Sequence, residues 1–234
     1  MGINMDLEHV YFSNLKKFDG KKLRRLNLSE IGQIAGRAGR YLNDGSFGIT
    51  GECKEITSED VDLLESHKFE EIRTLFWRNS NLNFNNSSSL IKSLDQKPQM
   101  EWLRKIQECE DEKALKYFLK DTNFINLKFN EKTLNLLWEC CQIPDFVKKT
   151  YGNHYEVIGS VFKFLNSDKR VISNDYMRLQ LLKLDKLDGN VDSLSNRIAN
   201  VRTWSYVSNK NNWIENQDYW IEKTKHLEDR LSDR

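Results

Sequence analysis

The stretch QIAGRAGR, Gln33 to Arg40, decides how the first part of this sequence is interpreted. It places two glycines, two arginines and a glutamine among small apolar residues. Each glycine inside a helix costs about 1 kcal/mol relative to alanine. A requirement other than local helix stability must therefore account for this composition.

Drawn as a helix over residues 30–41, with Ser29 as its N-cap, the stretch has two faces. One face carries apolar residues at helical spacing and is predicted to pack on a sheet: Ile31, Ile34, Ala35 and Ala38. The opposite face stacks an amide and two guanidinium groups: Gln33, Arg37 and Arg40.

Guanidinium groups match phosphate oxygens bidentately, and two on one stripe can clamp a γ-phosphate as arginine fingers do. Gly36 and Gly39 lie between the two faces and remove side chains beside the arginines, so that a ligand or another surface can come close. The alternative is a solvated helix face with two ordinary arginines.

The flanking segments predict a β-loop-α-β unit over the first 56 residues. LEHVYFS, residues 7–13, is apolar and β-rich, which predicts a buried strand. Residues 44–56 begin with turn signals and continue with strand-like residues. Because one or two isolated strands are marginal on their own, we interpret this unit as part of a larger sheet.

From residue 57 the pattern changes to helices. The first is capped by Ser58, and further helices are predicted near 98–108, 111–120, 130–141, 145–151, 153–166, 173–187, 191–207 and 215–231. The fold class is therefore mainly α with a small α/β part, divided into residues 1–56 and residues 57–234. NSNLNFNNSSSL, residues 79–90, is a polar stretch and the best candidate for a break in the helical region.

Bulk composition gives little direct information about partners. The net charge is +1, so any electrostatic function is local. The four cysteines and four histidines do not form a zinc-binding pattern, and reduced thiols packed as small hydrophobes are the expectation. No run of about 18 apolar residues occurs, so we predict neither a membrane span nor a membrane partner.

QIAGRAGR resembles motif VI of superfamily-two helicases, most closely the Suv-three type of RNA helicase of mitochondrial degradosomes and its bacterial branch. The N-terminal residues 1–20 resemble the end of motif V and the strand and loop that lead to motif VI, and GSFGITGE, residues 45–52, resembles the following strand. LLWECCQIPDF, residues 136–146, and LDGNVDSLSNRIANVRTWSYVSN, residues 187–209, resemble the helical C-terminal region of the bacterial members.

This resemblance implies a role for each motif residue. Arg37 and Arg40 take the arginine-finger positions that face ATP between two RecA-like domains, and Gln33 takes a position near the nucleotide. Gly2 and Asn4 match the end of motif V, which links the ATP site to the RNA backbone. The implied cofactor is ATP with Mg²⁺, and residues 1–56 are the end of the second RecA-like domain.

Further expectations follow from the same resemblance. The implied partners are single-stranded or duplex RNA, with DNA as an alternative, the first RecA-like domain and an exoribonuclease. The helical region lines the nucleic-acid channel. The expected location is the cytoplasm of a bacterium, or the mitochondrion if the organism is eukaryotic.

Two motifs that ATP hydrolysis needs do not occur in the sequence. The phosphate-binding loop G-x-x-x-x-G-K-[ST] is absent. DEKA, residues 111–114, imitates the metal-holding acidic box, but it begins a predicted helix and is interpreted as an exposed N-terminal turn. We therefore expect a fragment that starts within motif V and does not hydrolyse ATP by itself. The alternative is a helical RNA-binding or protein-interaction module that has lost the ATPase core.

Two other segments offer nucleic-acid contacts. The run KKFDGKKLRR, residues 16–25, holds six basic residues and one acid. Its lysines Lys16, Lys17, Lys21 and Lys22 either meet a phosphate backbone or belong to a solvated loop. In residues 197–223, cations alternate with tryptophans and tyrosines, which indicates either a base-stacking platform or an apolar core face, and the helical spacing favours the core.

Overall fold

The computed structural model describes residues 7–18, 22–39, 43–121, 124, 129–147 and 151–233. The chain forms two compact units, Met1–Arg73 and Thr74–Arg234, called here the N-unit and the C-unit. The C-unit begins before the stretch 79–90, so the irregular segment there lies inside that unit.

The described part of the N-unit contains four short strands and two helices. They are β1 His9–Phe12, β2 Lys16–Phe18, β3 Leu23–Arg25, α1 Leu28–Ala35, β4 Ser46–Ile49 and α2 Ser58–Glu65. β1 and β4 pair in parallel, with His9 opposite Ser46 and Phe12 opposite Ile49. The predicted β-loop-α-β order is therefore confirmed, because α1 connects two parallel neighbours.

Helix α1 begins two residues earlier than the sequence predicted. Its N-cap is Asn27 and not Ser29, because the Asn27 side chain accepts a hydrogen bond of 2.9 Å from the Glu30 amide. The Glu30 carboxylate accepts in return from the Asn27 amide at 3.0 Å, which completes a capping box. Ile31 and Ala35 point inward and pack with Phe12, Leu15 and Leu64 in a small core.

The described part of the C-unit is mostly helical. Its elements are β5 Leu75–Trp77, α3 Ser87–Leu94, β6 Leu103–Lys105, α4 Glu110–Lys120, α5 Glu131–Cys141, α6 Tyr151–Leu165, α7 Asn174–Leu184, α8 Val191–Ser208 and α9 Gln217–Ser232. The predicted helices over 111–120, 130–141, 191–207 and 215–231 are confirmed to within two residues. The fold class, mainly α with a small α/β part, is confirmed as well.

The helix predicted over 98–108 is wrong. Strand β6 lies there and pairs in parallel with β5. The Leu75 amide donates to the Trp102 carbonyl at 2.9 Å, and the Ile106 amide donates to the Trp77 carbonyl at 2.9 Å. Tertiary strand pairing thus overrides the local signal of Pro98 at a helix start. The helix predicted over 145–151 also does not form in residues 145–147, and 148–150 lie outside the described residues.

One continuous apolar core runs through the C-unit and takes residues from each helix α3 to α9. The largest completely buried side chains include Phe118, Phe162 and Met177. Cys140 and Cys141 are buried there as free thiols, and burial raises the pKa of both. Within the described residues, no helix is long and apolar enough to cross a membrane.

Candidate functional site

The end of α1 carries the residues that the sequence singled out. The helix ends at Ala35, and Gly36 is its C-cap with φ −66° and ψ 6°. Arg37 and Ala38 continue as a tight turn, in which their amides donate to Ile34 at 3.2 Å and to Ala35 at 2.9 Å. The prediction that the helix continues through residues 36–39 is therefore wrong, and Arg40 and Tyr41 lie outside the described residues.

The reason for this early end is a contact with the start of the sheet. Ala38 forms an isolated parallel bridge with Leu7, and the Gly39 amide donates to the Leu7 carbonyl at 2.7 Å. The backbone after α1 thus leaves the helix axis and joins the residues just before β1. The Gly39 amide thus bonds to the segment before β1 and not to a carbonyl of the helix.

The glycines of the stretch have different structural reasons. Gly39 has φ 77°, in the left-handed region, and a Cβ added there would lie 2.6 Å from the Asn43 oxygen. A Cβ on Gly45 would lie 2.2 Å from the Gly39 nitrogen, so two backbone segments pass in direct contact. A Cβ on Gly36 would meet the Gly32 oxygen at 3.0 Å and no other atom of the described residues within 4 Å. Open space beside Arg37 thus remains a prediction for Gly36, whereas Gly39 is required by the turn.

Two of the three predicted ATP-site residues lie among the described residues, and both are exposed. The side chains of Gln33 and Arg37 are both exposed at the C-terminal end of α1. Ion pairs of the N-unit, as far as the described residues show, use other cations and leave the Arg37 guanidinium without a carboxylate within 4.0 Å. The remaining predicted residues Gly2, Asn4, Lys21 and Arg40 lie outside the described residues.

The basic run folds as an antiparallel hairpin of β2 and β3, with Lys17 opposite Arg24. Arg24 binds the Glu30 carboxylate through two hydrogen bonds of 2.8 Å, and Lys17 forms an ion pair with the same carboxylate. Hydrogen bonds from Arg24, Lys17 and the Asn27 backbone hold the pKa of Glu30 well below its ordinary value. Part of the run therefore anchors the hairpin to the start of α1.

Two further lysines of the basic run lie among the described residues. Lys16 and Lys22 have exposed side chains. Both readings of the run, phosphate contact and solvated loop, therefore remain open for these two positions. The sequence signal that reveals the Glu30 anchor is its place three residues after the cap Asn27, where an acid is expected at a helix N-terminus.

The tryptophans within residues 197–223 form core and not a base-stacking platform, whereas Tyr219 is 55% exposed. Trp204, Trp213 and Trp220 are each at most 7% exposed. Arg202 binds Glu228 at 2.8 Å, and Lys210 lies over the ring of Tyr206 at 5.0 Å. The core interpretation is confirmed for these three tryptophans, because their rings have little surface left for a base.

The acidic turn at residues 111–114 is not exposed as predicted. Arg78 binds Asp111 through hydrogen bonds of 2.8 and 3.0 Å and approaches Glu112 at 3.3 Å. The Glu112 residue is 2% exposed, and burial raises its pKa against the opposing effect of Arg78. The guanidinium also lies 5.0 Å from the centre of the Trp138 ring. These acids therefore belong to a structural ion network, and no group of metal-binding side chains occurs in the described residues.

Comparison with known proteins relates the chain to RNA helicases. A stretch of 66 residues, 28% of the chain, is 47% identical to the mitochondrial DExH-box ATP-dependent RNA helicase DExH16 of Arabidopsis thaliana. The same length is 47% identical to the mitochondrial ATP-dependent RNA helicase SUV3 of Oryza sativa subsp. japonica. A stretch of 40 residues is 52% identical to the human exosome RNA helicase MTR4.

The matched stretches are short parts of those relatives: 11% of the two plant proteins and 4% of the human protein. No protein-family profile matches the chain, and no solved structure is significantly similar to it. The similarity therefore relates part of this chain to short parts of RNA helicases.

Proposed function

We propose that the N-unit is the end of the second RecA-like domain of an ATP-dependent RNA helicase and supplies arginine fingers to ATP. The observation that carries this proposal is the exposed Arg37 in the turn after α1, which forms no ion pair with a described residue. Arg40 follows three residues later and is the second proposed finger, and Gln33 contacts the nucleotide from the last turn of α1. ATP and Mg²⁺ are held mainly by a partner segment, because the sequence has no phosphate-binding loop.

The chemical reason for two arginines is the charge of the transferring phosphoryl group. Its oxygens carry negative charge that moves toward the leaving oxygen, and planar guanidinium groups stabilise it with paired hydrogen bonds. A lysine offers a point charge and no planar fork. The hydrogen bond between Gly39 and Leu7 joins the turn that carries Arg37 to the residues just before β1, which couples movement of the sheet to movement of Arg37.

Other parts of the proposal concern nucleic acid and location. We assign RNA contacts to the exposed Lys16 and Lys22 and to Lys21, Gly2 and Asn4, with Lys17 divided between Glu30 and the phosphate backbone. The C-unit lines the nucleic-acid channel. An exoribonuclease partner and a location in the bacterial cytoplasm or the mitochondrion follow by analogy with helicases of this kind.

The test joins the chain to the N-terminal part of the Arabidopsis relative that precedes the matched stretch. RNA-stimulated ATP hydrolysis of the chimera is measured with Arg37→Ala, Arg40→Ala and Arg37→Lys variants. Each alanine variant is expected to lower kcat by a factor on the order of 10³, as for arginine fingers elsewhere, and lysine is expected not to rescue it. Arg73→Ala, an exposed arginine of the same unit, is the matched control.

Two results contradict the proposal. One is a chimera whose turnover is unchanged by both alanine substitutions. The other is RNA-stimulated turnover by the pure chain that Arg37→Ala abolishes, since the chain alone would then hold the complete site.

A second function is favoured by the independent core of the C-unit. That core closes on itself from α3 to α9, as expected of a module that folds without a catalytic domain. A non-catalytic helical RNA-binding module predicts RNA binding by the chain and no effect of Arg37 in the ATPase assay. The same chimera therefore separates the two functions.

A further inference from the structure

Two clefts lie side by side in the C-unit, on either side of the loop that joins α6 to α7. The first has a volume of about 580 Å³ and includes Lys163, Phe164, Lys169 and Tyr176 in its lining. The second has a volume of about 790 Å³ and includes Lys132, Arg170 and Trp213. Ser167 lines both, so the loop forms a ridge between two connected concave surfaces.

The loop is held in a fixed shape. Ile172 forms a parallel bridge with Ile214: its amide donates to Trp213 at 2.8 Å, and the Glu215 amide donates to its carbonyl at 3.1 Å. Arg170 has φ 51° and Asn212 has φ 63°, and both residues line the second cleft. Left-handed backbone at residues other than glycine carries strain that surrounding contacts must hold, and such strain is concentrated at functional sites.

The first cleft has an aromatic floor. The rings of Phe164 and Tyr176 lie 4.7 Å apart, and Tyr176 also packs edge-on against Trp204 at 5.9 Å. Both floor rings are half-buried, so each keeps some surface toward the cleft while its position is fixed by the core. The two rings are tilted by 53° to each other, so a flat apolar group can stack on one ring while its edge contacts the other.

The cationic side chains around the clefts differ in their ion pairing from the cations of the neighbouring helices. Arg202 binds Glu228 at 2.8 Å and Arg230 binds Asp185 at 3.1 Å. By contrast, in the part of the chain that the structure describes, no ion pair uses the cleft cations Lys132, Lys163, Lys169 and Arg170. Among the residues that line the two clefts, Asp168 is the one acid, so the ridge is clearly positive.

This combination matches one class of ligand. Single-stranded nucleic acid offers a phosphate at every residue and unstacked bases between the phosphates, and proteins bind it with cations along a groove and aromatic rings beneath the bases. A duplex keeps its bases stacked and cannot present one to the floor of a cleft. The Ser160 hydroxyl and the amide side chains of Asn166 and Asn211 also line the clefts and can offer further hydrogen bonds.

We infer that the loop between α6 and α7 is a binding site for single-stranded RNA. Lys163 and Lys169 contact successive phosphates, and one unpaired base packs between the tilted rings of Phe164 and Tyr176, stacked on one and in edge contact with the other. Lys132 and Arg170 continue the backbone contact across the ridge into the second cleft. The choice of RNA rests on the proposed helicase function, whereas the position of the site rests on the geometry of the C-unit alone.

The experiment measures binding of fluorescein-labelled U₁₂ RNA to the full 234-residue chain by fluorescence anisotropy at several salt concentrations. Lys163→Glu with Lys169→Glu is expected to weaken binding at least tenfold and to reduce the slope of log K against log salt by about 1.4, or about 0.7 for each lost phosphate contact. The matched control is Lys223→Glu with Lys225→Glu on α9, which makes the same charge change at exposed lysines that do not line either cleft.

Equal losses from the two charge-reversed pairs would overturn the inference, because binding would then follow net charge. No loss from the cleft pair would overturn it as well. Lys132→Glu in the second cleft is expected to weaken binding by a smaller factor, and tryptophan fluorescence checks that each variant is folded.

Two ligand controls test the chemistry of the site. An abasic strand of the same length is expected to bind at least fivefold more weakly, since base stacking on aromatic rings contributes about 1–3 kcal/mol per base. Equal binding of the abasic strand would overturn the stacking on Phe164 and Tyr176. Binding of oligoglutamate as tight as that of U₁₂ would assign the site to acidic protein and overturn the RNA inference.

Failure of the RNA-site inference can be distinguished from failure of the arginine-finger proposal. Loss of RNA binding in the cleft pair with no effect of Arg37→Ala in the chimera would refute the arginine-finger proposal and support the RNA site. An active, Arg37-dependent chimera in which the cleft pair binds U₁₂ normally would refute the RNA site and support the arginine fingers.

Discussion

The two units of this chain bury apolar surface to very different degrees. In the N-unit, the described residues include a core of five buried side chains around a two-stranded parallel sheet. In the C-unit, one core joins helices α3 to α9. Parallel sheets are normally covered on both faces, yet Tyr11 of β1 is 63% exposed. The difference teaches that the helical unit can stabilise itself, whereas the unit with the candidate ATP-site residues gains little from its own packing.

The stabilities of the two units can be measured separately. All six tryptophans of the chain follow residue 73 and therefore report only on the C-unit. Peptide-resolved hydrogen exchange reports on the N-unit. The two methods together measure the stability of each unit in the intact chain.

The largest expected effect is a cavity in the C-unit core. Phe162 is 0% exposed and its ring lies 5.7 Å from that of Phe124. Phe162→Ala is expected to lower the free energy of unfolding by about 3–5 kcal/mol, because contacts and apolar burial are both lost. The measurement is urea unfolding followed by tryptophan fluorescence. Phe76→Ala, at a side chain that is 76% exposed, should change little, and an equal loss there would contradict the assignment of the core.

The next effect concerns the buried ion network of the C-unit. Arg78→Met keeps much of the volume but leaves Glu112 buried beside Asp111 without a counter-charge. We expect a loss of about 3 kcal/mol, since removal of one partner of a buried pair leaves an uncompensated charge. Arg178→Met, which breaks an exposed pair with Asp175 at 3.6 Å, is the control and should cost well under 1 kcal/mol. Equal midpoints in urea for the two variants would show that the network does not stabilise the unit.

A smaller effect is expected at the glycine turn of the N-unit. Gly39→Ala places a Cβ at φ 77° and against the Asn43 oxygen, at a cost of about 1–3 kcal/mol. Faster hydrogen exchange is expected in peptides that cover α1 and β4, with the tryptophan-detected transition of the C-unit unchanged. Gly51→Ala is the matched control, because an added Cβ there has no neighbour within 4 Å among the described atoms. Equal exchange in the two variants would contradict the turn geometry.

The smallest expected effect is a loss of N-unit stability at low pH. The pKa of Glu30 is lower in the folded chain than its ordinary value of 4.5, so its contribution to stability is present above about pH 4.5 and is lost as the pH falls below it. After correction for intrinsic exchange rates, protection of α1 should decrease over this range. In the Glu30→Gln variant, α1 should already be less protected from hydrogen exchange at pH 6, and its protection should decrease less on acidification. Identical pH profiles for the two proteins would exclude the carboxylate as the cause.

Much of the helical region was predictable because its signals are local. The helix over 131–141 follows the cap Asn130, and the helix over 191–208 follows the cap Asn190, with apolar residues at helical spacing in both. The failure over 98–108 has a nonlocal cause, since strand β6 exists only through its pairing with Leu75–Trp77. Arg78 also binds acids more than 30 residues away, a partnership that sequence spacing does not reveal.

The candidate ATP site was predictable in part. Its residue types and the order strand, helix, strand are properties of the sequence, and so is the exposed, polar character of Gln33 and Arg37. The end of α1 at Ala35 was not predictable from propensity, because the bridge between Ala38 and Leu7 competes with the next helical turn. The arrangement of Arg37 therefore depends on the sheet and not on the helix.

The sequence by itself determined the helical character of the C-unit, the strand-helix-strand order of the N-unit and the cationic composition of residues 33–40. It did so because caps, periodicity and side-chain chemistry act within a few residues. Only the tertiary structure decided where α1 stops, which cations are neutralised by distant acids, and which cations stand around clefts beside the loop 166–173. These properties depend on contacts between segments far apart in the chain, whose energies no local pattern contains.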